Sequence, residues 1–254
     1  MPSDPLARRD DAALAAEIAA IAGDYLCSLR DRQELIGKAL GAAGDEGANQ
    51  RIIEMLRRER PDDAILSEEC ADVGHRASAR RVWIVDPLDG TREYGEGRDD
   101  WAVHVALALD GIAAIGAVAL PSLGTVMRSD EPSPLPAAGN PLRMVVSRTR
   151  PAKEAVAVAE ALGAVLVPMG SAGAKAMAVV RGQADIYLHS GGQYEWDNAA
   201  PVAVASAFGL YCARLDGSPM RYNSADPSLG DFLICRAELA DLVNDAMEKT
   251  TPHS

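Results

Sequence analysis

The stretch Trp83-Ile84-Val85-Asp86-Pro87-Leu88-Asp89-Gly90-Thr91 joins a run of strand-forming residues to two carboxylates, a proline and a glycine. That order leaves the backbone little choice. Ile84 and Val85 read as the end of a buried strand, so Asp86 emerges at its tip, and Pro87 fixes the backbone where the chain must turn. Asp86 and Asp89 can then face one point, with the Leu88 carbonyl between them as a third oxygen. Such a donor set suits a hard cation such as Mg²⁺, which takes oxygen ligands in octahedral geometry and keeps some of its waters. Gly90 lets the backbone come close to a ligand. A helical turn starting there, which the run from Thr91 to Tyr94 permits, would aim free N–H groups at an anionic oxygen. An acidic pair, Glu68 and Glu69, precedes the string.

Taken alone, each piece has a plainer reading. An Asp-Gly pair is most often just a turn. Glu68 and Glu69 by themselves would be a solvated loop pair, since carboxylates are seldom buried unpaired. Thr91 would be an ordinary N-cap, and Asp197 an N-cap for the helix that Ala199, Ala200, Val202, Ala203, Val204 and Ala205 suggest. For Asp197 both readings can hold, because a cap residue stands at the mouth of a site. Trp196 reads as core packing.

The rest of the chain divides in two. Leu14, Ile18, Ile21, Tyr25 or Leu26, and Leu29 recur at helical spacing after Asp10 and Asp11, and Ile52, Ile53 and Leu56 suggest a second helix. Strands follow at 64–67 and 82–85. Residues 102–109 and 112–120, separated by Asp110-Gly111, read as two buried strands in a tight hairpin. The proline-rich stretch 131–141 has no apolar period and is the expected boundary between an N-terminal α+β domain, 1–133, and a C-terminal α/β domain, 142–254. Beyond it strands at 144–146, 165–167 and 186–188 alternate with helices at 151–162, 174–180 and from Asn198. Alternation of this kind implies crossover connections and a mainly parallel or mixed sheet, an α/β fold.

Composition narrows the function classes. A chain of 254 residues is long enough for a full core, and with 48% hydrophobic but only 4% aromatic residues, alanine and valine must fill much of the interior. A net charge of −12 argues against general nucleic-acid binding, because no excess of lysine and arginine exists to displace counterions. Small anionic substrates remain open if a metal supplies local positive charge. Cys27, Cys70, Cys212 and Cys235 are scattered, without metal-ligand spacing, and read as reduced, mostly buried thiols of a cytoplasmic protein. The apolar runs read as too short for a membrane span.

Three separated motifs, Leu66-Ser67-Glu68-Glu69, the string from Asp86 to Thr91, and Glu195-Trp196-Asp197-Asn198-Ala199-Ala200, resemble in this order those of the Mg²⁺-dependent, lithium-sensitive phosphatases. That family includes inositol monophosphatase, fructose-1,6-bisphosphatase and the 3′(2′),5′-bisphosphate nucleotidases. The resemblance covers most of the chain and implies the layered α-β-α-β-α sandwich of the sugar-phosphatase/inositol monophosphatase type, with the acids meeting between the halves. It implies that Glu68, Asp86, Asp89, Asp197 and the Leu88 carbonyl ligate two or three Mg²⁺ ions, and that Thr91 and Glu68 orient the attacking water. Asp45, in Ala42-Ala43-Gly44-Asp45 where the family usually has Thr-x-Ala-Asp, would support the threonine and a more weakly held metal. Converging carboxylates repel one another unless cations compensate them.

Residues flanking the string bear on the substrate. Arg92-Glu93-Tyr94 is similar to the Lys/Arg-Glu-Phe/Tyr of bisphosphate nucleotidases, and Gly170-Ser171 with Lys175 is similar to a segment those enzymes place near the nucleotide, although their common spacing is Ser-x-x-Lys. The resemblance thus puts Asp89, Gly90, Thr91, Arg92, Ser171, Lys175 and Asp197 at the substrate. Lys175 reads equally as an exposed helix lysine, and Arg92 as a surface partner of Glu93 or Asp99. The activity implied is that of the CysQ-type branch, a 3′-phosphatase of 3′-phosphoadenosine 5′-phosphate in sulfate assimilation, sensitive to lithium. Inositol 1-phosphate and fructose 1,6-bisphosphate are alternative substrates, and a non-catalytic, metal-dependent regulatory module is the reading from another class. Relatives commonly form homodimers.

Overall fold

A computed structural model of the protein describes residues 5–70 and 76–250, with side chains from residue 11 onward. Its first half comprises α1 (Pro5–Asp31), α2 (Gly37–Glu59), β1 (Ala64–Ser67), β2 (Arg81–Asp89), the short α3 (Thr91–Gly95), β3 (Ala102–Leu109), β4 (Ile112–Leu120) and β5 (Thr125–Arg128). The second half comprises β6 (Arg143–Ser147), α4 (Lys153–Leu162), β7 (Val165–Met169), α5 (Ala172–Val180), β8 (Ile186–Tyr194), α6 (Glu195–Ala207), β9 (Leu210–Ala213), β10 (Ser228–Arg236) and α7 (Ala240–Thr250).

Each half builds one mixed sheet. The first has order β1-β2-β3-β4-β5, with β1 parallel to β2 and the rest antiparallel. The second has order β7-β6-β8-β10-β9, parallel through β8 and antiparallel beyond it. Because side chains alternate across a strand, the first sheet buries both faces against different partners. Trp83, Val85, Val103, Val105 and Leu107 meet α1 and α2, whereas Val82, Ile84, Ala106 and Val118 meet α5 and α6. The same two helices touch Val145, Tyr187 and Phe232 of the second sheet, whose outer face packs on α4 and α7. The stack therefore runs α-β-α-β-α.

Small residues set the layer spacing. A Cβ on Gly116 of β4 would stand 2.5 Å from the Ala200 carbonyl oxygen and 2.8 Å from Ala203 Cβ of α6, so backbone lies nearly on backbone there. In the hairpin turn, Asp110 (φ 49°) and Gly111 (φ 79°) are both left-handed, the pattern whose twist matches two-residue hairpins.

Several expectations are corrected. β2 does not stop at Val85 but continues through the acid string to Asp89, paired to β3. α6 starts at Glu195, not Asn198, and β5, β9, β10 and α7 were not foreseen from periodicity. In α1 the most buried residues are Ala15, Ile18, Ala19, Ala22 and Leu26, while Ile21 is 39% exposed; alanines carry the contact because the sheet is close. The segment Asp11–Asp31 is, contrary to the run-length reading, long and apolar enough to cross a membrane by length and composition, and it packs on β3 and β4. Among the cysteines only Cys235 is buried, and all four are free.

Gly116→Ala tests the layer contact. Overpacking at this site is expected to cost about 1–3 kcal/mol, seen as roughly 2–4 °C lost in Tm per kcal/mol. An unchanged melting curve would mean that α6 can shift off the sheet.

Candidate active site

Asp86 of β2 pairs with His104 of β3, and Asp89 pairs with Ala102, with the register broken between them. Pro87 falls in that irregularity, where the N–H it lacks is not needed. The break brings the two carboxylates together: Asp86, Asp89 and Asp197 offer oxygens that all lie within 4.8 Å of one another. Asp86 is 1% exposed and Asp89 7%. Oδ1 of Asp86 accepts from the Leu88 N–H at 3.1 Å.

Asp197 arrives from the first turn of α6. It is not the cap of that helix: Tyr194 occupies the N-cap position, and the Asp197 carboxylate reaches back to accept the Tyr194 N–H at 2.7 Å. Thr91 is likewise not a cap. Gly90 is, at φ 93°, a left-handed conformation that glycine adopts without penalty. The hydroxyl of Thr91 lies 2.9 Å from Asp45 Oδ2 and 3.1 Å from the Leu88 carbonyl. Asp45 comes from the middle of α2, and that helix can approach so closely because Gly41 has no side chain: a Cβ there would stand 2.7 Å from Thr91 Cγ2.

Burial and mutual repulsion outweigh the protein's own cations at Asp86, Asp45 and Asp197. Burial, then the carboxylates of Glu68, Asp89 and Asp197, push Asp86 well above the usual carboxylate range. Burial raises Asp45 to about 7, although Thr91 donates to it. Oδ1 of Asp45 is buried with no hydrogen-bond partner. Asp197 is raised to about 6 by burial and by Asp89. Carboxylates grouped this tightly, with a buried Asp45 oxygen left without a donor, fit a divalent cation with hard oxygen ligands.

Asp89 is the exception. Burial opposes its ionisation, but His104, hydrogen bonds and Lys175 bring it down to about 2. Oδ2 accepts from the Ser171 hydroxyl and, at 2.6 Å, from the Gly173 N–H, and Oδ1 accepts from the Ala172 N–H at 3.1 Å. Nε2 of His104, wholly buried, stands 3.2 Å from Oδ2. Its Nδ1 lies 3.0 Å from the Trp196 carbonyl. A Cβ on Gly173 would collide with that imidazole at 2.0 Å. His104 was missed by sequence reasoning; a histidine inside the apolar run 102–109 was the available signal.

Glu68 lies outside the 4.8 Å group, at the exposed mouth just past β1. Ser67 fixes the turn that carries it, with Oγ donating to Asn49 Oδ1 at 2.7 Å and accepting from the Glu69 N–H at 3.3 Å. Loss of water, then Asp45, Asp197 and Asp89, raise Glu68 to about 7. Arg92 is exposed and pairs with neither Glu93 nor Asp99; Glu93 instead meets Arg148 at 2.6 Å. Arg92 and Lys38 line a cavity of about 880 Å³ beside Asp45 and Thr91.

Ser171 and Lys175 are turned to protein. Besides its bond to Asp89, Ser171 Oγ accepts from the Ala174 N–H at 2.9 Å. Lys175 is not an exposed helix lysine: it is 5% exposed, and its ammonium donates to the Gly170 and Ser171 carbonyls at 3.1 and 2.6 Å. Glu195, named above only as the first residue of the third motif, is fully buried, and its carboxylate accepts the N–H groups of Asn223 and Ser224 at 2.6 and 2.7 Å and anchors that loop to the motif.

Fold and site together define a phosphate-ester hydrolase of the layered α-β-α-β-α class. The chain belongs to the inositol monophosphatase family, whose model matches residues 11–249. It is 50% identical, over an alignment of 258 residues covering 94% of each chain, to a protein of Mycobacterium leprae (strain TN) named 3′-phosphoadenosine 5′-phosphate phosphatase. It is 28% identical over 231 residues, 84% of this chain and 94% of the other, to the 3′(2′),5′-bisphosphate nucleotidase CysQ of Escherichia coli (strain K12). Among solved structures, CysQ from Bacteroides thetaiotaomicron superposes with a TM-score of 0.77 at 25% identity, covering 89% of this chain and 97% of that one.

The raised carboxylates predict a pH dependence. Unfolded acids titrate near 4 or so, so the folded, metal-free cluster binds protons more tightly than the unfolded chain. Its stabilising contribution is present below that range and is lost as pH rises through about 7 for Asp45 and Glu68 and about 6 for Asp197. In chelator, Tm is expected to fall between about pH 4 and about pH 7 and then to level off, and added Mg²⁺ to raise it most at the upper end, where no proton competes. Thermal melts with and without the ion measure both.

Proposed function

We propose that this protein is a Mg²⁺-dependent phosphomonoesterase that removes the 3′-phosphate of 3′-phosphoadenosine 5′-phosphate, leaving AMP and inorganic phosphate. The observation that carries the reading is the convergence of Asp86, Asp89 and Asp197 within 4.8 Å, next to the Thr91–Asp45 pair. Likeness over 94% of both chains to a relative named for this activity supports the choice of substrate. Glu68 and the Leu88 carbonyl complete the ligand set in this reading. When bound, magnesium would neutralise the phosphate oxygens, lower the pKa of a water and stabilise the leaving alkoxide.

The protein's own groups do the rest. Thr91 Oγ1 donates to Asp45 Oδ2 and keeps its lone pairs for the attacking water, so a proton can pass from water through the hydroxyl to Asp45. Gly90 and Thr91 offer backbone N–H groups to a phosphate oxygen. Asp89, clamped by the start of α5 and by His104, stays ionised and fixed while its neighbours titrate. The division at 131–141, between units 1–133 and 142–254, belongs to the same reading, with Asp197 closing a site whose other acids come from the first unit. So does a cytoplasmic setting.

Phosphate release measured on 3′-phosphoadenosine 5′-phosphate, inositol 1-phosphate and fructose 1,6-bisphosphate tests the proposal. The nucleotide is expected to lead by at least about tenfold in kcat/KM; a smaller margin removes the nucleotidase reading. Asp86→Asn keeps the shape but removes a charge, and is expected to abolish turnover in a protein that still folds and loses most of the Tm gain that Mg²⁺ gives the wild type. Half of normal activity in that variant would contradict the metal assignment. Lithium is expected to inhibit by competing for a magnesium position.

A further inference from the structure

Tyr194 is an aromatic residue in an unusual place. Of six tyrosines, three tryptophans and two phenylalanines, it alone is exposed, at 46%. It holds the N-cap position of α6, where Ser, Thr, Asp or Asn is preferred, and its side chain makes no cap hydrogen bond. The ring therefore has no helix-capping duty. Its backbone stands against the cluster, since the Tyr194 N–H donates to Asp197 Oδ2 at 2.7 Å. One face of the ring is backed by Trp196, with centroids 4.7 Å apart and planes 11° from parallel. The preceding residue, Gln193, is buried and turned inward to the Tyr187 hydroxyl, so the alternation of β8 sends Tyr194 the other way. Beside it Gly191 and Gly192 carry no side chains, and a Cβ on either would meet nothing within 4 Å.

We infer that Tyr194 is the platform on which the purine base of the substrate stacks, and hence the residue that selects a nucleotide over other phosphate monoesters. The inference rests on the proposed nucleotidase activity. With the 3′-phosphate held at the acids, the base lies one sugar away from them, and Tyr194 is joined to the cluster through its own N–H at Asp197 Oδ2. A ring already held parallel by Trp196 loses little freedom when a second flat surface settles on it. Stacking tolerates different bases, because every base has a π face, so the platform reads the presence of a base rather than its identity.

Steady-state kinetics on 3′-phosphoadenosine 5′-phosphate and on ribose 3,5-bisphosphate, which has both phosphates and no base, decide the matter. Tyr194→Ala is expected to raise KM for the nucleotide by about 5- to 150-fold, equivalent to about 1–3 kcal/mol, with kcat little changed and the ribose ester unaffected. Tyr194→Phe keeps the ring and is expected to retain the wild-type KM. Equal effects of Tyr194→Ala on both compounds would make the ring a structural element and overturn the inference. An unchanged nucleotide KM, in a wild-type enzyme that prefers the nucleotide, would overturn the platform and leave the activity standing. Wild-type protein that cleaves neither compound would overturn the activity and the platform with it.

Discussion

Three carboxylates brought within 4.8 Å of one another repel, and much of the surrounding structure exists to hold them there. Their positions are set by backbone more than by opposing charge. Asp86 is fixed by the break in β2, Asp197 by its bond to the Tyr194 amide, and Asp89 by two amides at the start of α5 together with Ser171. Only Asp89 has a close cation-forming partner, His104. The others are left with raised pKa values, an arrangement that is unfavourable in the bare protein and becomes favourable once a divalent ion takes the place of protons.

Holding Asp197 opposite Asp86 also requires that the two sheets be locked to each other. Small residues allow it. The Gly116–Ala200 approach brings α6 onto the first sheet, and Gly173 admits the His104 ring. Polar links across the halves reinforce the packing: Arg148 of the second half pairs with Glu93 and Glu96 of the first, and the Gly170 amide donates to Asp100 at 2.6 Å. His104 is the most economical of these links, because one imidazole faces both the Asp89 carboxylate and the Trp196 carbonyl, next to Asp197 in the chain.

Much of the fold was legible. The hairpin 102–120 and β1 have the bounds their residue pattern suggested, because uninterrupted apolar runs flanked by turn residues leave one solution. β10 was not legible: Gly230 and a register break between Leu229 and Asp231 interrupt its alternation. α1 was recognised over Leu14–Leu29 although it begins earlier, at Pro5, and its buried stripe is rotated toward alanines, because hydrophobicity alone does not say which side chains are small enough for a close helix–sheet contact. At the site, Asp86 and Asp89 declared themselves by type and spacing and Asp197 by resemblance alone, while Glu68 lies outside their group. Ser171 and Lys175 did not declare their roles, since a motif shows which residues are near and says nothing of whether a hydroxyl or ammonium is already occupied by protein.

The sequence by itself determined the hairpin 102–120 and the alternation of strands and helices from β6 to the start of α6, because these depend on local sterics and on periodicities of two and 3.6 residues. Only the tertiary structure decided which carboxylates meet, which of them is ionised, and which side chains are left free to touch a ligand. Those outcomes depend on distances between residues far apart in the chain and on the water excluded between them, and neither quantity is written in any short stretch of sequence.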